Sequence, residues 1–184
     1  MALFTGKGDG GTTKLFDSPS GQRESKSSPI FEVLGTLDEL NTLIGWCKVE
    51  ASDTKVGEQS CVGLLHGVQD CLFTIQAEVA GAPKSIPEAQ VKEVEEVINS
   101  IEASLPPITT FLVPGGTELS SRLDIARAVS RRCERRLVAL QEEGIRTLGE
   151  HSLKYANRLS SLLYALVRLV NHQAGAAEAP PSYR

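Results

Sequence analysis

What this 184-residue chain has little of narrows its chemistry before any motif is read. Its four cysteines, Cys47, Cys61, Cys71 and Cys133, are widely spaced and form no C-x-x-C pair. Each falls in a helix-like pattern, so they read as buried, reduced thiols. The three histidines, His66, His151 and His172, stand in neither an H-E-x-x-H nor an E-x-x-H arrangement. That spacing argues against a transition-metal site built by the protein, and no protein metal ligand is expected. No apolar run approaches the ~20 residues of a membrane-spanning helix. The opening MALFTGKGDGG lacks the apolar core of a signal peptide and the character of an amphipathic presequence. A cytoplasmic chain with no membrane partner is expected. A basic excess is also missing, the net charge being −4, which argues against nucleic-acid binding through a generally positive surface. Strand-like alternation is scarce and no internal repeat is evident.

What is present suits one soluble globular domain. Hydrophobic residues make up 41% and charged residues 23%, and the length allows a sizeable core. Residues 1–30, rich in Gly, Ser, Thr, Lys and Pro, read as an arm outside the helices. The apolar spacing of residues 31–172 predicts five helices. The first starts at Thr36-Leu-Asp-Glu39, a capping-box pattern, and carries Leu37, Leu40, Ile44 and Cys47. The second runs from about Glu58 to Val79 with Val62, Leu65, Leu72, Phe73 and Val79 apolar, and ends at Gly81. The third starts at Pro87 and stops at Pro106-Pro107. The fourth spans about Glu118 to Glu143 and the fifth about Leu148 to His172. The tail, 173–184, is Ala/Pro-rich and is expected to be disordered. The fold expected is an all-α up-and-down bundle with a functional N-terminal arm.

Two segments carry chemistry. Within Arg127-Ala-Val-Ser-Arg131-Arg132-Cys-Glu134-Arg135-Arg136, five arginines and one glutamate fall in ten residues of an acidic chain. Helical geometry puts Arg127, Arg131 and Glu134 on one face. Ala126, Val129, Cys133, Leu137 and Leu140 form an apolar stripe roughly 120° away. Such a helix can dock on a core and aim guanidinium forks at phosphate or carboxylate. The second segment is Thr5-Gly6-Lys7-Gly8-Asp9-Gly10-Gly11-Thr12-Thr13. Glycines let backbone amides approach phosphate oxygens, and threonine hydroxyls can bond them or face a magnesium ion. It is not a Walker A loop, because Gly11 is followed by Thr12 rather than lysine. Arg23 and Lys26 add positive charge just downstream.

Six motifs in order, T-G-K-G-D-G-G-T-T (5–13), Arg23 with Lys26, G-T-L-D-E-L-N (35–41), F-L-V-P-G-G (111–116), A-R-A-V-S-R-R-C-E-R-R (126–136) and Y-A-N-R-L-S (155–160), resemble the PduO-type ATP:cob(I)alamin adenosyltransferases. The resemblance runs from about residue 4 to 171. It implies a ferritin-like five-helix bundle assembled as a homotrimer, with ATP at each subunit interface. It implies transfer of the 5′-deoxyadenosyl group of ATP to the cobalt of a reduced corrinoid, with release of triphosphate and assistance from Mg²⁺. By match to these motifs, Thr5, Gly6, Lys7, Gly8, Asp9, Gly11, Thr12, Thr13 and Lys26 would hold ATP from the arm. Arg131, Glu134 and Asn157 would hold it from the helices, and Asp38 would pair with Arg127 across the interface. Phe111 matches the aromatic that occupies the lower face of cobalt. A cobalamin reductase and an adenosylcobalamin-dependent enzyme are the partners such a role suggests. One departure stands out: the family commonly carries a basic residue where this chain has Gly6, and the charge sits at Lys7 instead.

Two rival classes remain at the level of sequence. A helical adaptor would present the arginine face to an acidic protein, and a sensor or carrier would bind nucleotide or corrinoid without chemistry.

Overall fold

A computed structural model describes residues 3–183; the first two residues of the arm and the last of the tail lie outside the described residues. Five helices form the body: α1 (Pro29–Glu50), α2 (Cys61–Val79), α3 (Glu88–Ser104), α4 (Glu118–Glu142) and α5 (Glu150–Gln173). The main packing runs α2–α1–α4–α5–α3, so α4 lies between α1 and α5. Their apolar stripes meet in one core in which Leu40, Ile44, Leu65, Leu123, Leu162 and Leu166 lose all contact with solvent. None of these helices is long and apolar enough to cross a membrane.

The expected start of the first helix needs correction. α1 begins seven residues earlier, with Ser28 at the cap position and Pro29 in the first turn, where its fixed φ and missing N–H cost nothing. Ile30 and Val33 already belong to the buried stripe, which carries the helix past Thr36. Thr36 is a buried mid-helix residue whose hydroxyl donates to the Glu32 carbonyl at 2.7 Å. Glu39 reaches sideways to Arg132 rather than back to a helix start. A capping box does occur at the start of α4, between Thr117 and Ser120.

Two short ribbons lie outside the bundle. β1 (Thr12–Thr13) pairs antiparallel with β2 (Glu24–Ser25) inside the arm. β3 (Lys55–Val56) pairs with β4 (Gln59–Ser60) in the α1–α2 connection. The second ribbon delays α2 to Cys61, where the Ser60 hydroxyl accepts from the Gly63 N–H at 3.0 Å. Phe73, expected on the apolar face of α2, is 62% exposed. The buried stripe passes through Cys71, Leu72 and Ile75 and leaves Phe73 on the outer face of the helix.

The start of α5 is held by a carboxylate. Glu78, buried near the end of α2, accepts from the Gly149 N–H at 2.7 Å and from the Ser152 hydroxyl at 2.5 Å. A negative charge there satisfies orphan amides and suits the positive end of the helix. The tail expected to be disordered instead makes defined contacts: the Ala179 carbonyl accepts from the Val113 N–H, and Glu178 pairs with Arg168 at 3.3 Å.

Candidate functional site

The arginines of α4 separate by direction, because α4 has a neighbour on each side. Toward α1, Arg132 pairs with Glu39, and Arg136 pairs with Glu32 at 2.6 Å while also bonding the Thr36 hydroxyl. These two fasten α4 to α1. Cys133, between them, donates to the Thr36 carbonyl at 3.2 Å, and burial pushes its thiol up to about 12. It packs and does not react. Arg135 donates to the Arg131 carbonyl at 3.1 Å.

Toward α5, Arg127 donates from Nε to Asp124 at 2.8 Å and lies 5.7 Å from the centre of the Tyr164 ring. Asp124 is buried, so the pair keeps Arg127 fixed at the root while its outer guanidinium edge faces the cleft. Arg131, one turn on, is exposed, and among the described residues no carboxylate lies within ion-pair distance of it. Glu134 accepts from Asn157 Nδ2 at 2.5 Å, and Asn157 Oδ1 accepts from Arg158 at 2.6 Å. Glu134 and Asn157, separated by 23 positions, thus form one polar unit across α4 and α5.

A cleft of about 810 Å³ opens on this side. Its lining includes Phe111, Arg127, Arg131, Ser160 and Tyr164, together with Ile108 and Leu112 of the connector between α3 and α4. The volume suits a large ligand with both apolar and anionic parts. Phe111 is 79% exposed, so it is no ordinary core aromatic. Sequence reading singled out Phe111, Arg127 and Arg131, and the fold brings all three to one cavity. It did not find Asp124 or Tyr164. Their signal is helical spacing: Asp124 stands one turn before Arg127, and Tyr164 one turn after Ser160.

The arm is a separate, braced object. Gly6 and Gly11 take positive φ, at 67° and 73°, which their lack of Cβ permits. Tight turns follow, with the Asp9 N–H donating to the Gly6 carbonyl and the Gly11 N–H to the Gly8 carbonyl. Arg23 is the brace. Its guanidinium donates to the Thr12 hydroxyl at 2.9 Å, the Thr12 carbonyl at 2.7 Å and the Lys7 carbonyl at 2.8 Å. The Lys26 ammonium lies over Gly8, where a Cβ would come within 3.0 Å of it. Thr5, Lys7 and Asp9 are exposed on this surface, and Thr13 is half-buried.

The arm fastens to the bundle through Phe16, whose N–H donates to the Ala80 carbonyl, and through Asp17, paired with Arg146 at 2.5 Å. The hydrogen bond from Arg146 holds the Asp17 carboxyl below the usual range. These anchors lie at the end of α4 remote from Arg127, roughly 20 Å away along the axis by the rise per residue. Among the described residues, none from the arm lines the cleft. Asp38 is exposed on α1, and among the described residues it makes no ion pair with Arg127 or another cation. No cluster of three or more His, Cys, Asp or Glu side chains lies together among the described residues.

The profile of the family described as cobalamin adenosyltransferase matches residues 3–170. The chain belongs to the cobalamin adenosyltransferase family. It is 40% identical over 181 residues to the corrinoid adenosyltransferase PduO of Citrobacter freundii, covering 95% of this chain and 51% of that protein. The chain thus spans about half the length of the PduO relatives it matches. A shorter member, the corrinoid adenosyltransferase of Bacillus subtilis, is 36% identical over 95% of this chain and 89% of its own length. Among solved structures, the fold superimposes with a TM-score of 0.87, at 28% identity, on a variant PduO-type ATP:corrinoid adenosyltransferase from Lactobacillus reuteri complexed with cobalamin and ATP. That match covers 99% of this chain and 97% of the other. A second variant of the Lactobacillus reuteri protein, complexed with ATP, matches with a TM-score of 0.84.

Proposed function

We propose that this chain transfers the 5′-deoxyadenosyl group of ATP to the cobalt of cob(I)alamin, forming adenosylcobalamin and releasing triphosphate. The observation that carries this reading is the cleft whose lining an exposed aromatic, Phe111, shares with two arginines, Arg127 and Arg131, in a chain of the cobalamin adenosyltransferase family. In the transfer, cob(I)alamin supplies both electrons of the new Co–C5′ bond and is formally oxidised to Co(III). The C5′–O bond breaks, and its electron pair leaves with the triphosphate. The nucleophile is already powerful, so no serine, cysteine or general base is needed. The protein must align C5′ with cobalt and stabilise charge on the departing phosphates.

The parts divide accordingly. Arg131, whose guanidinium has no carboxylate partner among the described residues, meets the phosphates, and the Glu134–Asn157 unit holds the nucleoside end. Phe111 fills the lower axial side of cobalt, keeping water and the corrinoid's own base away, which eases reduction of the Co(II) precursor. The Gly8–Gly11 turns, Thr5, Gly6, Lys7, Asp9, Thr12, Thr13 and Lys26 cradle the triphosphate. Mg²⁺ would arrive with ATP, and Asp9 and the threonine hydroxyls are the oxygen donors at hand to hold it; bound there it would neutralise phosphate charge.

Because the arm is anchored away from the cleft of its own chain, the two halves of the ATP site belong to neighbouring copies in a homotrimer. Asp38 of one copy would then meet the free edge of Arg127 in the next, whose Nε is already engaged by Asp124. Cytoplasmic residence suits four unpaired, buried thiols. A cobalamin reductase would supply Co(I), and an adenosylcobalamin-dependent enzyme would take the product.

The test is anaerobic incubation of the chain with ATP, Mg²⁺ and chemically reduced cobalamin. A light-sensitive alkylcobalamin spectrum is expected. Tight binding with no cobalt–carbon bond would favour a carrier, and absence of both binding and turnover would favour an adaptor.

A further inference from the structure

The connector that carries Phe111 is held from outside itself. Ile108, Phe111 and Val113 are all exposed, so residues 107–114 gain little from packing of their own. What fixes them comes from the end of α5 and the tail. Arg168 and Asn171 stand three residues apart on α5, hence on one face, and both are buried. Arg168 Nη2 donates to the Pro106 carbonyl at 3.0 Å. Asn171 Nδ2 donates to the Gly115 carbonyl at 3.1 Å. Those two carbonyls bracket the connector. Between them the Val113 N–H donates to Ala179 of the tail at 2.9 Å.

One carboxylate ties the clamp together. Glu178 accepts from Arg168 Nε at 3.3 Å and faces Asn171 Nδ2 at 3.4 Å. Gly116, at φ 138°, closes the connector against the Asn171 amide, where any Cβ would overlap it. A cation as buried as Arg168 needs its carboxylate, so losing Glu178 would leave a costly unpaired charge beneath the connector.

The geometry points to Arg168, Asn171 and Glu178 as positioning residues that hold the connector, and with it Phe111, in the attitude the reaction needs. This inference rests on the adenosyl-transfer reading above. None of the three lines the large cleft, so each acts through the backbone it grips. A loose connector would spend less time with the ring in place, and the order would have to be supplied when corrinoid binds. The loss should therefore fall on the step that uses the ring, activation of Co(II), and spare ATP binding.

The experiment compares the full chain with Glu178→Ala and Glu178→Gln, which lie in the tail beyond the helical core. Hydrogen exchange should show the amides of residues 107–115 exchanging about tenfold faster in Glu178→Ala, with α1 to α5 unchanged. Glu178→Gln keeps an acceptor for Arg168 and should stay close to the parent. In turnover, Glu178→Ala should lose about fivefold or more on the route from cob(II)alamin relative to the route from pre-reduced cob(I)alamin, with KM for ATP unmoved. Unchanged exchange in the connector would overturn the inference. So would faster exchange spread through α4 and α5, or equal losses on both routes. If the parent chain forms no cobalt–carbon bond, the functional reading fails, while the exchange data still report whether the clamp exists.

Discussion

Single residues carry two kinds of burden here, and they should respond differently to substitution. Glu78 bears a structural one, since its buried carboxylate accepts from the Gly149 amide and the Ser152 hydroxyl at the head of α5. Glu78→Ala would strand both donors and should lower stability by about 2 kcal/mol in urea unfolding. A change below about 0.5 kcal/mol would show that water replaces the carboxylate without loss. Arg131 is proposed to bear a functional burden, and it is exposed and without a carboxylate partner among the described residues. Arg131→Ala should leave the unfolding midpoint in place and raise KM for ATP roughly tenfold or more, the scale of a lost charge-assisted phosphate contact. A large loss of stability with normal ATP handling would reverse that assignment. The sequence made Arg131 visible through its cluster but gave no sign of Glu78. A glutamate 71 positions from the helix it caps has no local signature.

Among the elements, α4 is the clearest case of sequence dictating position. Its apolar stripe, Ala126, Val129, Cys133, Leu137 and Leu140, is buried throughout, and that burial turns the arginines sideways. Periodicity found all five helices because each has one face against a common core. It missed the start of α1, because a capping-box pattern at Thr36 lay inside a helix whose stripe and proline start both lie upstream. The two ribbons were missed because pairs of two-residue strands are too short to show alternation. Burial of thiols on α1, α2 and α4 has a pH consequence. Cys47 and Cys61 are pushed up to about 11 and Cys133 to about 12 by desolvation. A raised value in the folded state means the neutral thiol stabilises below its ordinary value near 9.0 and that contribution is lost as pH climbs through 11–12. The stability difference between the parent and Cys133→Ala should therefore shrink as pH rises from about 9 toward 12. A difference independent of pH across that range would mean the thiolate is solvated in the folded chain.

At the scale of the whole molecule, one chain shows a braced glycine arm and, apart from it, an arginine-lined cleft, which are proposed to be two halves of one site. Sequence motifs named both halves but held no information about which copy completes which, since that depends on surfaces brought together only by assembly. If the site is shared, Lys26→Ala and Arg131→Ala chains, assayed at ATP far below their raised KM so that each alone turns over slowly, should recover activity when unfolded together and refolded as mixed trimers. No recovery beyond the sum of the two would place both halves in one subunit. Arg127→Ala should in addition weaken assembly, measured as a trimer-to-monomer shift on dilution. Adenosyl transfer itself is tested most directly by a single anaerobic turnover of cob(I)alamin with ATP, counting triphosphate released against cobalt–carbon bonds formed. One intact triphosphate for each new bond is the predicted result; ADP or orthophosphate as the released species, or triphosphate without an alkylated cobalt, would contradict it.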